Sequence, residues 1–147
     1  MTAGQRLTTR FRALHERPGI FVMPNPWDIG TTKLLERLGF EALATASAAL
    51  AGTHGRRDGQ MSREESLLHA KAIVGSTDLP VNADLEKGFG DAPEDVALTI
   101  REAMQAGLAG CSIEDTTGDP QQPLYERGLA VERICAARAE IDAAGSD

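Results

Sequence analysis

The feature that most constrains the fold of this chain is a pattern that recurs along its whole length. A short apolar run is followed by a turn rich in Gly, Asp, Asn or Pro and then by a longer amphipathic stretch, at a spacing of roughly 30 residues. This alternation is typical of βα units, in which helices connect parallel strands. It predicts an α/β fold.

The pattern predicts one N-terminal helix followed by four βα units. Right-handed crossovers would place the four strands side by side in sequence order. A complete (β/α)8 barrel needs about 250 residues, so a chain of 147 residues predicts a partial TIM-type barrel, with residues 1–147 as a single domain. The predicted strands are 20–23, 40–46, 80–83 and 110–113, and the predicted helices are 5–15, 28–39, 62–74, 91–107 and 129–144.

Local signals set the helix boundaries. Asp28 is predicted to cap one helix, whose buried stripe would be Leu34, Leu35 and Leu38. Ser62 and Glu65 have the spacing of a capping box. Asp91 is predicted to act only as the cap of the helix that follows it, and residues 47–61 to form a long loop of small residues.

Charge and composition exclude several functional classes. The net charge of −7 and the absence of a basic stripe argue against a nucleic-acid partner. No apolar stretch approaches the roughly 20 residues of a membrane span, and the N-terminus lacks the apolar run of a signal peptide. Two cysteines, Cys111 and Cys135, form no disulfide framework and are expected to be reduced, so we expect a soluble, cytoplasmic protein.

Acidic residues follow the ends of successive predicted strands. Asp58 lies in the loop after the second strand, Asp84 and Glu86 follow the third, and Glu114 follows the fourth. The working residues of barrels lie just past the carboxyl ends of the strands. Oxygen ligands suit Mg²⁺, so Asp84, Glu86 and Glu114 are predicted to hold a metal directly or through water.

Each of these residues also has a purely structural interpretation. An acidic residue at a βα junction often caps the next helix, which applies to any one of the three acids taken singly. Ser47 and Ala48 could offer backbone N–H groups and a hydroxyl to a carboxylate, or simply form a small-residue turn. The occurrence of three acids on neighbouring strand ends favours the metal site.

Three stretches together resemble the isocitrate lyase/phosphoenolpyruvate mutase superfamily. They are residues 45–59, which include TASAALA and GRRDG, residues 80–91 (PVNADLEKGFGD) and residues 106–115 (AGLAGCSIED). The PNPWD of residues 24–28 fits the first strand end of that family as well. The resemblance runs from about residue 5 to residue 145, in the family's order.

This resemblance implies an enzyme dependent on Mg²⁺ or Mn²⁺ that acts on a 2-oxo acid or its adduct. It would make or break a C–C or C–P bond through an enolate. Carried over by position, Asp84 is the metal ligand, Glu86 and Glu114 hold the metal's waters, and Asp58 is catalytic beside the metal and substrate. Ser47 and Ala48 match the segment that binds the substrate carboxylate.

The chain departs from the family pattern in two places. Residues 116–125 read TTGDPQQPLY where the lyases carry a Lys-Lys-Cys-Gly-His segment, which favours the phosphonomutase-like branch. Only the N-terminal half of the family's barrel is matched, so the substrate pocket would lack one wall. Open strand edges favour pairing with another chain, which predicts a homo-oligomer. Two alternatives therefore stay open: a half barrel that binds metal or assembles without turnover, and a metal-dependent hydrolase of an oxaloacetate-like or phosphono substrate.

Overall fold

The computed structural model describes residues 3–145 and confirms an α/β fold with helices around a parallel sheet. The helices are α1 Ala3–Glu16, α2 Ile29–Arg37, α3 Ser47–Thr53, α4 Arg63–Val74, α5 Pro93–Gln105 and α6 Arg127–Ala143. The strands are β1 Leu43–Ala44, β2 Val81–Asp84, β3 Gly110–Ser112, β4 Thr116–Asp119 and β5 Gln122–Leu124.

The parallel sheet has the predicted order. β1, β2 and β3 lie side by side in sequence order, with Ala44 opposite Asn82 and Asp84 opposite Ser112. The sheet is open, so the described residues form no closed barrel. Its strand ends still meet at one edge, which is where the acidic residues were expected.

The first predicted strand, at residues 20–23, does not form. This segment has no regular secondary structure, and the contacts to β1 come just after it: the Ala44 N–H donates to the Pro24 carbonyl at 3.1 Å, and the Asn25 amide donates to the Ala44 carbonyl at 2.8 Å. Pro24 and Pro26 have no N–H to donate, so a regular ladder cannot continue there.

Two further elements differ from the sequence prediction. The loop predicted for residues 47–61 begins with helix α3, because small alanine-rich sequence readily forms a helix. β4 and β5 form an antiparallel hairpin, with Thr116 opposite Leu124. The hairpin was not predicted because it lacks alternating apolar residues and contains Pro120 and Pro123.

The predicted stripe of leucines on α2 is wrong in part. Leu35 packs on the core, but Leu34 and Leu38 are exposed. Asp28 does cap α2, accepting the Thr31 N–H at 2.7 Å. A helix period by itself marks a face, whereas the neighbours present in the fold decide how much of that face is buried.

The predicted capping role of Asp91 is also wrong. The carboxylate of Asp95 accepts the Ala92 N–H at 3.2 Å at the start of α5, and Asp91 instead contacts Lys87 and Tyr125. The capping box predicted for Ser62 and Glu65 is confirmed: the Ser62 hydroxyl accepts the Glu65 N–H at 3.2 Å at the start of α4.

The main hydrophobic core lies between the parallel sheet and the helices α4 and α5. The principal cluster combines apolar residues of the strands with those of α4, α5 and the turns, namely Leu43, Val81, Ala83, Leu85, Leu67, Ala70, Ile73, Leu79, Ala103 and Leu108. At the amino ends of the strands, Phe11 of α1 packs so closely on Gly110 that a Cβ there would lie 2.6 Å from its ring. A side chain at position 110 would therefore push α1 away from the sheet.

Cys111 and Cys135 are free thiols, as expected. No helix in residues 3–145 combines the length and apolarity needed to cross a bilayer.

Candidate metal and substrate site

The acidic residues predicted at the strand ends come together on one face of the sheet. Asp84 ends β2, Glu86 follows in the next turn and Glu114 follows β3, while Asp58 approaches from the segment after α3. Asp84 adjoins, through its hydrogen-bond partner Ser47, a cavity of about 560 Å³ that the other three line. Its lining residues are Ser47, Asp58, Gly59, Glu86, Lys87, Glu114, Thr116, Thr117 and Gly118.

Asp84 is held by three hydrogen bonds. Its Oδ2 accepts the backbone N–H of Ser47 at 3.0 Å and the Ser47 hydroxyl at 2.9 Å, and its Oδ1 accepts the Glu86 N–H at 3.0 Å. Ser47 opens α3, so the first turn of that helix is tied to the end of β2. The position of the Asp84 carboxylate is therefore set by both neighbouring elements.

Glu86 is the residue with the most unusual surroundings. Its backbone adopts a positive φ of 49°, which is rare for a residue other than glycine. Its Oε1 atom is buried without a hydrogen-bond partner. Burial, followed by the charges of Asp58, Asp84 and Glu114, raises the pKa of Glu86 to about 7.

Glu114 and Asp58 complete the cluster. The Glu114 N–H donates to the Glu86 carbonyl at 2.8 Å, which joins the turn after β2 to the end of β3. Burial raises the pKa of Glu114, and the charges of Asp84, Asp58 and Asp115 add to the effect. Asp58 is exposed at the rim, where its Oδ1 accepts the Gly59 N–H at 3.1 Å.

The donor set fits a hard divalent cation. Carboxylate oxygens are the ligands that Mg²⁺ and Mn²⁺ favour, and a cation would partner the buried Glu86 Oε1 and offset the repulsion that raises the pKa values. As they stand, no three His, Cys, Asp or Glu side chains within residues 3–145 converge closely enough to hold a metal. Binding would therefore require the carboxylates to close around the ion.

The structure brings together five of the six predicted site residues. Ser47 reaches Asp84, whereas Ala48, also on α3, is exposed and does not line the cavity. Sequence reasoning missed Lys87 and the two threonines of β4 as lining residues. Lys87 stands next to Glu86 in the motif and could have been found there, but the threonines depended on an unpredicted hairpin.

We expect Glu86→Gln to change the pH dependence of stability. Because the pKa of Glu86 is raised from 4.5 to about 7 on folding, the folded chain binds a proton that the unfolded chain releases. The stabilisation from this proton is full below about pH 4.5 and is lost as the pH rises through about 7. Between those values, the free energy of unfolding of the wild type should fall relative to that of the variant. Urea unfolding at several pH values measures this, and parallel pH curves would contradict it.

Comparison with known proteins identifies the family. The sequence model of the phosphoenolpyruvate phosphomutase family matches residues 11–147. The chain is 35% identical over 108 residues to 2,3-dimethylmalate lyase of Eubacterium barkeri, which covers 72% of this chain and 37% of that protein.

Solved structures give the same result. A lyase/mutase candidate from Burkholderia cenocepacia J2315 superposes with a TM-score of 0.95 at 51% identity, over 97% of this chain and 51% of that chain. An oxaloacetate acetylhydrolase superposes with a TM-score of 0.86 at 25% identity, over 95% of this chain and 50% of that chain. The chain thus spans about half the length of these solved relatives. The protein belongs to the phosphoenolpyruvate phosphomutase family, in the phosphoenolpyruvate mutase/isocitrate lyase superfamily.

Proposed function

We propose that this chain carries the metal-binding part of an enzyme that makes or breaks a C–C or C–P bond of a 2-oxo acid, or of its adduct, through an enolate. The observation that carries the proposal is the buried, unpartnered Glu86 Oε1 in a cavity of carboxylates at the strand ends. A magnesium or manganese dependence, a cytoplasmic location and a homo-oligomeric state are parts of the same proposal.

Each residue has a proposed role that its surroundings support. Asp84, oriented by Ser47, is the direct metal ligand, while Glu86 and Glu114 orient the metal's waters. When bound, a divalent cation supplies Lewis-acid stabilisation of the negative charge that develops on substrate oxygen. Asp58, at the open rim, faces the substrate and is the proposed catalytic carboxylate.

The substrate carboxylate is proposed to lie against the start of α3. The first N–H groups of a helix have no partner within the helix. The Ser47 N–H is occupied by Asp84, so the Ala48 and Ala49 N–H groups of this turn are proposed to bind the substrate carboxylate, which would extend past the cavity lining at Ser47 to reach them. This contact would place the reacting carbonyl beside the Asp84 end of the cavity.

Calorimetric titration of Mg²⁺ or Mn²⁺ into the full chain, with and without oxalate, tests the proposal. Oxalate mimics the planar enolate of pyruvate and offers two oxygens to a metal. We expect oxalate to bind only when the metal is present. Failure of oxalate to bind a folded, metal-loaded sample would contradict the proposed site. Succinate, which cannot adopt the same planar pair of oxygens, is the matched control ligand.

A second candidate function is assembly without turnover. Several large apolar side chains are more than half exposed: Ile20 and Val22 in the segment that precedes Pro24, Leu124 of β5, and Val131 and Ile134 of α6. Exposed apolar patches and open strand edges mark surfaces that pair with other chains. Light scattering that shows at least twice the monomer mass, together with metal binding but no conversion of 2-oxo acids, would favour this candidate.

A third candidate is metal-dependent hydrolysis, favoured by the similarity to the oxaloacetate acetylhydrolase. Product analysis in ¹⁸O-labelled water separates the two chemistries. A hydrolase places the label in a carboxylate group of its product, whose oxygens do not exchange with water, and a lyase does not.

A further inference from the structure

The turn between β2 and α5 (residues 85–92) carries Glu86 and is strained. Glu86 and Phe89 have φ values of 49° and 60°, although neither is a glycine. Each such residue costs on the order of 1–3 kcal/mol, and the conformation persists only where the surroundings determine it. Something outside the turn must therefore hold it in place.

Arg133 of α6 provides this hold. Its side chain is almost completely buried, at 1% exposure, and its guanidinium donates to the carbonyl oxygens of Gly90 at 2.7 Å and Asp91 at 2.6 Å, and also to that of Lys87. All three carbonyls belong to the strained turn. The planar fork of an arginine can reach several acceptors at once, which the point charge of a lysine cannot do in the same geometry.

A second layer of contacts surrounds this guanidinium. The Tyr125 ring covers it at 4.1 Å, and the Tyr125 hydroxyl donates to Asp91 Oδ1 at 2.5 Å. The Lys87 ammonium bonds the same oxygen at 2.7 Å and the Thr117 carbonyl at 3.0 Å. The turn is thereby tied to the hairpin as well as to α6.

The packing of α6 on α5 does not explain why an arginine is buried at position 133. α6 packs on α5 through Val96, Ile100 and Ala137, and the Arg101–Glu140 ion pair at 2.7 Å joins the same two helices. A buried charge is costly, and an apolar residue of similar size would pack against a helix without that cost. The hydrogen bonds of the guanidinium go to the turn that carries Glu86.

We propose that Arg133 is a positioning residue that holds the turn at residues 85–92 so that Glu86 faces the carboxylate cavity. Arg133 does not itself line that cavity. It acts on metal affinity through the backbone of the turn, in particular through the carbonyl of Lys87, the residue next to Glu86. This inference rests on the proposed metal site.

Amide hydrogen exchange of the metal-free full chain tests the hold directly. In the wild type, the Glu86 and Gly88 amides have acceptors, at Asp84 Oδ1 and the Leu85 carbonyl, and are expected to be protected. We expect Arg133→Lys to raise exchange in residues 85–91 at least tenfold, with exchange in α5 and α6 unchanged. Arg133→Met should have a larger effect on the same residues.

The matched control is Arg101→Met. It removes a surface arginine between α5 and α6 and should leave exchange in residues 85–91 as it is in the wild type. Because Arg133→Met could fail to fold, Tyr125→Leu provides a further variant: it removes the ring cover and the Asp91 hydrogen bond and should also raise exchange in the turn. Unchanged turn exchange in Arg133→Lys and in a folded Arg133→Met, or an equal rise throughout α6, would overturn the proposal.

Manganese affinity, read by electron paramagnetic resonance, supplies the second readout. We expect a loss of about tenfold or more in Arg133→Lys, within the range seen when residues that orient metal ligands are changed. An unaltered Mn²⁺ affinity would overturn the link to the site. If the wild type itself binds no Mn²⁺, the proposed function fails, while exchange in residues 85–91 still decides whether Arg133 holds the turn.

Discussion

Asp84→Asn is expected to lower Mn²⁺ affinity by about a hundredfold or more, because it removes the charge of the proposed direct ligand. It should also cost about 1–3 kcal/mol of stability, since an amide cannot accept on both sides as the carboxylate does. Asp84 accepts from Ser47 and from the Glu86 N–H, and an NH₂ group would oppose one of these donors.

The two effects can be measured separately. Mn²⁺ binding by electron paramagnetic resonance gives the affinity, and urea unfolding without metal gives the stability. Asp78→Asn is the matched control, because Asp78 is exposed and precedes β2 at the opposite end of that strand from Asp84. Wild-type Mn²⁺ affinity in Asp84→Asn would contradict the assignment of Asp84 as a ligand.

Leu43→Ala is expected to lower the free energy of unfolding by about 2–5 kcal/mol. Leu43 lies in β1 opposite Val81, has no exposed surface and belongs to the principal core cluster. Truncation leaves a cavity that the sheet can fill only in part, because its strands are held by backbone hydrogen bonds. A domain of this size has a stability of about 5–15 kcal/mol, so the loss is a large fraction of the total.

Leu68→Ala provides the control for this prediction. Leu68 undergoes the same chemical change but is 68% exposed on α4, so its loss should lie within about 0.5 kcal/mol. Urea unfolding of both variants measures the difference. Equal losses in the two variants would show that the core is not centred on the sheet.

The acidic residues at the strand ends could be predicted from sequence for a simple physical reason. Parallel strands joined by helices present their carboxyl ends at one edge, so residues that follow the strands must lie near one another. Asp84, Glu86 and Glu114 were placed at this edge from their positions after apolar runs, and the structure brings them to it. Their metal-binding roles remain predictions.

The strained turn and its arginine could not be predicted in this way. Nothing in the sequence around Glu86 indicates a positive φ there, because that conformation is held by Arg133, which is 47 positions further along the chain. Asp91 was assigned to the helix cap for the same reason: its true partners, Lys87 and Tyr125, come together only in the folded chain.

The sequence by itself determined the α/β class, the order of the parallel strands and the edge at which the carboxylates lie, because periodicity, turn residues and right-handed crossovers act locally. Only the tertiary structure decided which apolar faces are buried and which carboxylates are shielded from solvent. It also decided which distant side chain, Arg133 in our proposal, contacts the turn that carries Glu86. Burial and electrostatic coupling depend on neighbours separated by tens of residues, and such neighbours are defined only by packing.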